Sequence, residues 1–136
     1  MRRFPVYLVI DVSDSMAGEP IRAVERGVKG IIEDLKSDPY ALELVSLTLI
    51  VFAGRVQRLI AGEELYKCVL PSLPLGSGTA FGKALSFLMD DIERNVRRST
   101  RAAKGDFKPL VFFVTDGVPT DDPESAVGAW TSGFSG

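Results

Sequence analysis

The chain has 136 residues, enough for one domain, and 46% of them are hydrophobic and 25% charged, as is typical of a globular protein. Its formal net charge is −2, so we expect no nucleic-acid partner and no membrane surface as a partner. There is no histidine and one cysteine, Cys68, which excludes a Ser-His-Asp triad, a histidine-ligated metal and an intrachain disulfide.

The first predicted element is a strand at Val6–Ile10. This run is continuously apolar, which is typical of a central strand of a parallel sheet, because both faces of such a strand are buried. It is too short to cross a membrane, and no small-residue cleavage site follows it. A cytoplasmic location is therefore expected, and the lone cysteine fits a reducing compartment.

An amphipathic helix is predicted next, from near Pro20 to near Ser37. Apolar residues recur at spacings of three and four and form one stripe: Ile21, Val24, Val28, Ile31 and Leu35.

The remaining elements follow from shorter patterns. Leu44–Phe52 predicts a second strand, and the alternating polarity of Arg55–Ile60 predicts a half-exposed antiparallel strand at a sheet edge. Residues 63–75 are expected to be irregular, and a second helix to begin between Thr79 and Gly82. The apolar run Leu110–Val114 predicts a fourth strand, and a further helix is expected near Asp121.

This β-α-β-β-α-β order predicts an α/β fold with a doubly wound, mostly parallel sheet and helices on both faces. Asp11 and Asp116 each follow a fully apolar strand. If the first and fourth strands are neighbours, both carboxylates lie at the carboxyl edge of the sheet, where such folds bind ligands. The Gly-rich loop that contains Thr79 would form a third wall.

Oxygen donors gather in the stretch from Asp11 to Ser15, whose sequence is Asp-Val-Ser-Asp-Ser. A carboxylate and hydroxyls at alternate positions suit a hard cation such as Mg²⁺, with Mn²⁺ or Ca²⁺ as alternatives. Two carboxylates would neutralise a divalent ion, whereas serine and threonine add only neutral oxygens. Not every carboxylate need touch the metal directly, and an ion held mainly by hydroxyls remains able to capture an acidic group of another molecule.

Three elements together resemble the metal-ion-dependent adhesion site of von Willebrand factor A domains: the stretch from Asp11 to Ser15, Thr79 in its Gly-rich loop, and Thr115-Asp116-Gly117. The resemblance implies five metal-site residues: Asp11, Ser13, Ser15, Thr79 and Asp116. It implies that Ser13 and Ser15 bind the ion directly and that Asp11 and Asp116 often act through water. Position 14 is often glycine in the family and is Asp14 here, and this extra acid is expected to face solvent.

The opening residues, from Arg3 into the motif, also resemble bacterial intracellular A domains associated with tellurium resistance. The resemblance implies a module without enzyme activity, in a stress-response or signalling assembly, that binds an Asp or Glu carboxylate of a protein partner through the metal.

Residues 1–136 are predicted to form a single A-type domain, apparently truncated after the fourth strand. The family fold has about six strands, and the sequence supplies four. An exposed edge at Leu110–Val114 would invite pairing with another copy of the chain.

Two alternatives remain open at this stage. A magnesium-dependent phosphohydrolase could use Asp11 as its nucleophile, although the dehalogenase-type motif requires a second aspartate where Ser13 stands. A scaffold without metal would use Asp11 and Ser13 merely as caps of a loop or helix.

Overall fold

The computed structural model describes residues 3–97 and 105–115. These residues form four strands, β1 (Phe4–Asp11), β2 (Val45–Phe52), β3 (Val56–Glu64) and β4 (Leu110–Val114). They also form three α-helices, α1 (Glu19–Lys36), α2 (Pro39–Leu44) and α3 (Phe81–Asn95). The helix expected near Asp121 lies outside the described residues. None of the described helices combines the length and apolar character needed to span a bilayer.

The strands form one mostly parallel sheet in the order β3-β2-β1-β4. Strand β1 pairs in parallel with β2 on one side and with β4 on the other, and β3 pairs antiparallel with β2 at the edge. The condition set for the site, that the first and fourth strands are neighbours, is met, and the predicted antiparallel edge strand is confirmed. Strand β3 continues to Glu64. The prediction of an irregular segment over residues 63–75 is therefore wrong for its first two residues, which belong to this strand.

The sheet is covered on its two faces by different helices, as the doubly wound prediction requires. Alternate side chains of β1 point to opposite faces, so Leu8 packs with the α1 layer and Val9 with the α3 layer. The buried residues of α1 are Ile21, Val28 and Ile32. Those of α3 are Gly82, Ala84, Leu85, Leu88, Asp91 and Ile92.

The predicted stripe of α1 is wrong at one position. Ile32 is buried, whereas Ile31 is only partly buried. The two isoleucines are adjacent, so a spacing argument alone fits either one, and the packing against the sheet selects Ile32.

Helix α2 was not predicted, since residues 39–43 carry too short an apolar pattern. Its start nevertheless has a clear physical cause. The side chain of Asp38 accepts hydrogen bonds from the backbone N–H groups of Tyr40 (2.9 Å) and Ala41 (3.5 Å). Pro39 occupies a first-turn position, where its missing N–H costs nothing.

A buried polar network joins three elements on the α3 face. The Tyr7 hydroxyl in β1 donates to Asp91 Oδ2 in α3 at 2.7 Å, and Arg58 Nη1 in β3 donates to Asp91 Oδ1. Burial, and then the hydrogen bond to Asp91, raise the pKa of Tyr7 well above its usual range, so the phenol stays protonated as the donor. Asp91 is only 5% exposed, and the ion pair with Arg58 compensates the negative charge of its buried carboxylate.

Arg58→Ala is expected to lower the free energy of unfolding by about 2 kcal/mol, because it leaves the buried Asp91 carboxylate without its cation. Urea unfolding followed by circular dichroism measures the change. Arg55→Ala is the matched control, since Arg55 is exposed and forms no ion pair within the described residues; its change is expected within about 0.5 kcal/mol. Equal unfolding midpoints for the two variants would contradict the role given to Arg58.

Candidate metal centre

Asp11 is the last residue of β1, and its side chain lies at the carboxyl edge of the sheet. The residue is 0% exposed. Its Oδ1 accepts a hydrogen bond from the backbone N–H of Ser13 at 2.8 Å, and its Oδ2 accepts one from Thr115 Oγ1 at 2.7 Å. Both hydrogen-bond donors are neutral.

No cationic side chain of the described residues forms an ion pair with Asp11. A buried carboxylate is costly unless a positive charge or several hydrogen bonds compensate it. Two neutral donors satisfy part of this need, and a divalent cation held nearby would satisfy the rest. The environment of Asp11 therefore fits a metal centre.

Ser13 and Ser15 place their hydroxyls side by side. A short 3₁₀ turn, Asp14–Met16, follows Ser13, and the Met16 N–H bonds to the Ser13 carbonyl at 2.9 Å. The turn brings the two Oγ atoms within 3.1 Å of each other. Neighbouring ligands of an octahedral Mg²⁺ lie roughly 3 Å apart, because the metal–oxygen distance is about 2.1 Å. The pair thus fits two adjacent ligand positions.

The additional acidic residue beside the centre is Asp14. Asp14 is exposed, as predicted for the acid that replaces the glycine common in the family.

Thr79 lies in a loop that is attached to the ends of two strands. The Gly76 N–H donates to the Val12 carbonyl at 2.8 Å, and Gly76 forms an isolated parallel bridge with Ser13. At the other end of the loop, the Ala80 N–H donates to the Ala53 carbonyl at 2.7 Å. Thr79 itself is buried, at 6% exposed. The loop containing Thr79 is therefore joined directly to the stretch that carries the serines.

Two glycines permit this close approach of loops. A Cβ on Gly54 would lie 2.7 Å from the Ser77 carbonyl oxygen, and one on Gly76 would lie 2.9 Å from Ala53 Cβ. The Gly54 N–H also donates to the Ser77 carbonyl at 2.6 Å. A side chain at either position would push the Thr79 loop away from the strand ends.

The fifth predicted residue, Asp116, lies outside the described residues, so its place in the site stays a prediction. Thr115, which the sequence analysis did not assign to the site, hydrogen-bonds to Asp11. A signal for it was available, since Thr115 directly follows β4 and β4 pairs with β1.

Most of the oxygen donors described at this candidate centre are hydroxyl groups. Across residues 3–97 and 105–115, no three Asp, Glu, Cys or His side chains gather into a group that could hold a metal ion. The described donors are instead one carboxylate and neutral hydroxyls, which suits a hard cation rather than zinc held by sulfur or nitrogen.

Comparison with known families gives a match over nearly the whole chain. The model of the von Willebrand factor type A domain matches residues 6–133. A search of curated proteins finds no match.

The solved structures of similar fold include proteins from Sulfolobus acidocaldarius, from Porphyromonas gingivalis and from the mussel byssus. The ArnB paralog VWA2 from Sulfolobus acidocaldarius is 19% identical with a TM-score of 0.66, covering 90% of this chain and 29% of that one. The vWF domain of a type V pili tip protein from Porphyromonas gingivalis is 19% identical with a TM-score of 0.59, covering 87% and 39%.

The third structure contains a metal. Proximal thread matrix protein 1 from the mussel byssus, whose MIDAS motif is occupied by zinc, is 16% identical with a TM-score of 0.59, covering 96% and 33%. The chain spans less than half the length of each of these three structures. At these identities the similarity concerns the fold.

Gly54→Ala is expected to destabilise the protein by about 1–3 kcal/mol, because the new methyl group meets a backbone oxygen that cannot move without breaking the loop contact. Thermal unfolding measures the effect. Gly27→Ala in α1 is the control: a Cβ there meets nothing within 4 Å, and alanine favours the helix, so a gain of up to about 1 kcal/mol is expected. A Gly54→Ala protein as stable as wild type would mean that the loop is not held as described.

Proposed function

Because this chain belongs to the von Willebrand factor type A domain family, we propose that it is a metal-dependent protein-interaction module. It presents a divalent cation, Mg²⁺ before Mn²⁺ or Ca²⁺, to an Asp or Glu carboxylate of a partner protein. The proposed ligand set is that of the family motif: Asp11, Ser13, Ser15, Thr79 and Asp116.

The burial of Asp11, to which none of the described residues supplies a cationic partner, is the observation that supports this proposal most strongly. A carboxylate at 0% exposure, which has only neutral donors in the part of the chain that the structure describes, is stabilised when a cation binds. The adjacent Ser13 and Ser15 hydroxyls add ligands without adding negative charge. With neutral hydroxyls as direct ligands and carboxylates that act through water, the cation stays electrophilic and keeps a coordination position open for an acidic partner group.

The zinc-occupied MIDAS motif of the mussel protein is in agreement with this proposal, because that protein shares the fold. The zinc ion in the mussel protein does not determine which ion this chain binds. The oxygen donors of this chain favour a hard cation, and Mg²⁺ is the ion we propose.

The proposed setting is a cytoplasmic, bacterial stress-response or signalling assembly, on the resemblance to A domains associated with tellurium resistance. Domains of this family are generally interaction modules and not enzymes. The proposal includes neither nucleic acid nor a membrane as a partner. Pairing of copies through β4 also stays a prediction; Leu110 and Phe112 of that strand are 45% and 38% exposed.

Ser13→Ala is expected to weaken Mg²⁺ or Mn²⁺ binding on the order of tenfold to a hundredfold, since it removes one hydroxyl while leaving the backbone bond to Asp11 in place. Asp11→Ala is expected to abolish the binding heat. Titration calorimetry measures both. Ser86→Ala, at an exposed position of α3, is the matched control and should bind like wild type.

Absence of binding heat in the wild-type protein would refute the metal centre. Equal affinities for wild type and Ser13→Ala would place the ion elsewhere.

Partner binding is expected to require the metal. A pull-down performed with Mg²⁺ should retain the partner, and EDTA should release it, because the ion supplies the contact to the partner's carboxylate. Neutralising that Asp or Glu should have the same effect as EDTA. Retention of the partner in EDTA would show that the contact lies on another surface.

A further inference from the structure

We propose that the partner segment that supplies the metal-binding acid also occupies a groove beside the centre, with one apolar side chain and a second carboxylate. This inference rests on the proposed function and specifies the chemistry of the partner. The occupant is an extended segment of that same partner, continuous with its metal-binding acid.

The groove, here called the hairpin groove, lies between the β2–β3 turn and the loop that leads to Thr79. Its volume is about 470 Å³, within the range in which proteins bind small ligands or a few side chains. It is lined by Val12, Val51, Ala53, Gly54, Arg55, Gln57, Pro74, Leu75, Gly76 and Ser77.

The hairpin groove lies next to the candidate metal centre. Val12, which lines it, stands between Asp11 and Ser13 in the chain, and its carbonyl accepts the Gly76 N–H at 2.8 Å. Gly76 in turn forms the bridge with Ser13. A partner chain whose acid reaches the ion would therefore have its neighbouring residues within reach of this groove.

Backbone hydrogen bonds hold the walls of the groove in place. The Gly54 N–H donates to the Ser77 carbonyl at 2.6 Å and so joins the two walls, while the Ala53 N–H donates to the Arg55 carbonyl at 2.9 Å within the turn. A groove that is already formed costs little ordering free energy when a ligand enters, which favours its use as a binding surface.

The exposed groups of the groove define what would bind there. Leu75 is 48% exposed, and Pro74 beside it is exposed as well, so an apolar side chain would remove apolar surface from water. Arg55 is the charged residue of the lining; it is exposed and forms no ion pair within the described part of the chain. Its charge favours a carboxylate, and both groups are expected on one side of the metal-binding acid.

A phage-displayed library with four randomised residues on each side of a fixed aspartate tests this inference without knowledge of the partner. The library is selected on the immobilised protein in Mg²⁺ and eluted with EDTA. We expect enrichment of an apolar residue and of a second acid on one side of the aspartate. When the selection is repeated on the Arg55→Glu protein, Lys or Arg should replace the second acid in the selected peptides. Peptides selected on the wild-type protein should bind the Arg55→Glu protein about threefold to tenfold more weakly.

Lys29→Glu in α1 makes the same charge change outside the groove and should select the same peptides as wild type. Identical flanking residues from wild type and Arg55→Glu, or no flanking preference at all, would overturn the groove proposal and leave the metal bridge intact. If the wild type retains no EDTA-elutable phage, or if Ser13→Ala retains as many as wild type, the proposed function itself fails, and the groove proposal with it.

Discussion

The burial of the Asp11 carboxylate at the end of the central strand is the constraint on which the rest of the site depends. A negative charge at 0% exposure is unfavourable, and the described residues offer it only the Ser13 N–H and the Thr115 hydroxyl. Replacing the aspartate with an apolar residue would remove this cost, and this supports the proposed role of Asp11 in metal binding. Binding of a divalent cation explains the cost most directly.

The parallel sheet brings the parts of the site together. Because β1 lies between β2 and β4 and runs parallel to both, three strand ends meet at one edge. Thr115 reaches Asp11 from β4, and Ala53 at the end of β2 holds the loop of Thr79. The same arrangement forms the hairpin groove, so the metal centre and the proposed partner surface share their backbone supports.

Periodicity and strand composition were sufficient to predict the fold class, the four strands and the two long helices, since apolar runs and 3.6-residue spacing have few other interpretations. They did not predict α2, which depends on the Asp38 cap, nor the choice of Ile32 over Ile31, which depends on packing. The network of Tyr7, Asp91 and Arg58 joins residues far apart in sequence, and no local pattern indicates it. The motif places Ser13 and Ser15 in the predicted ligand set, whereas the contact of Thr115 with Asp11 depends on the strand order.

Paramagnetic broadening by Mn²⁺ is the measurement that tests the metal centre most directly, because it locates the ion in the folded protein. In amide ¹H–¹⁵N spectra, substoichiometric Mn²⁺ is predicted to broaden the signals of Ser13, Ser15 and Thr79 first. Excess Mg²⁺ should restore them, and the signal of Gly27 in α1 should stay sharp. Broadening centred on other residues, or uniform loss of all signals, would contradict a metal centre at the carboxyl edge of the sheet.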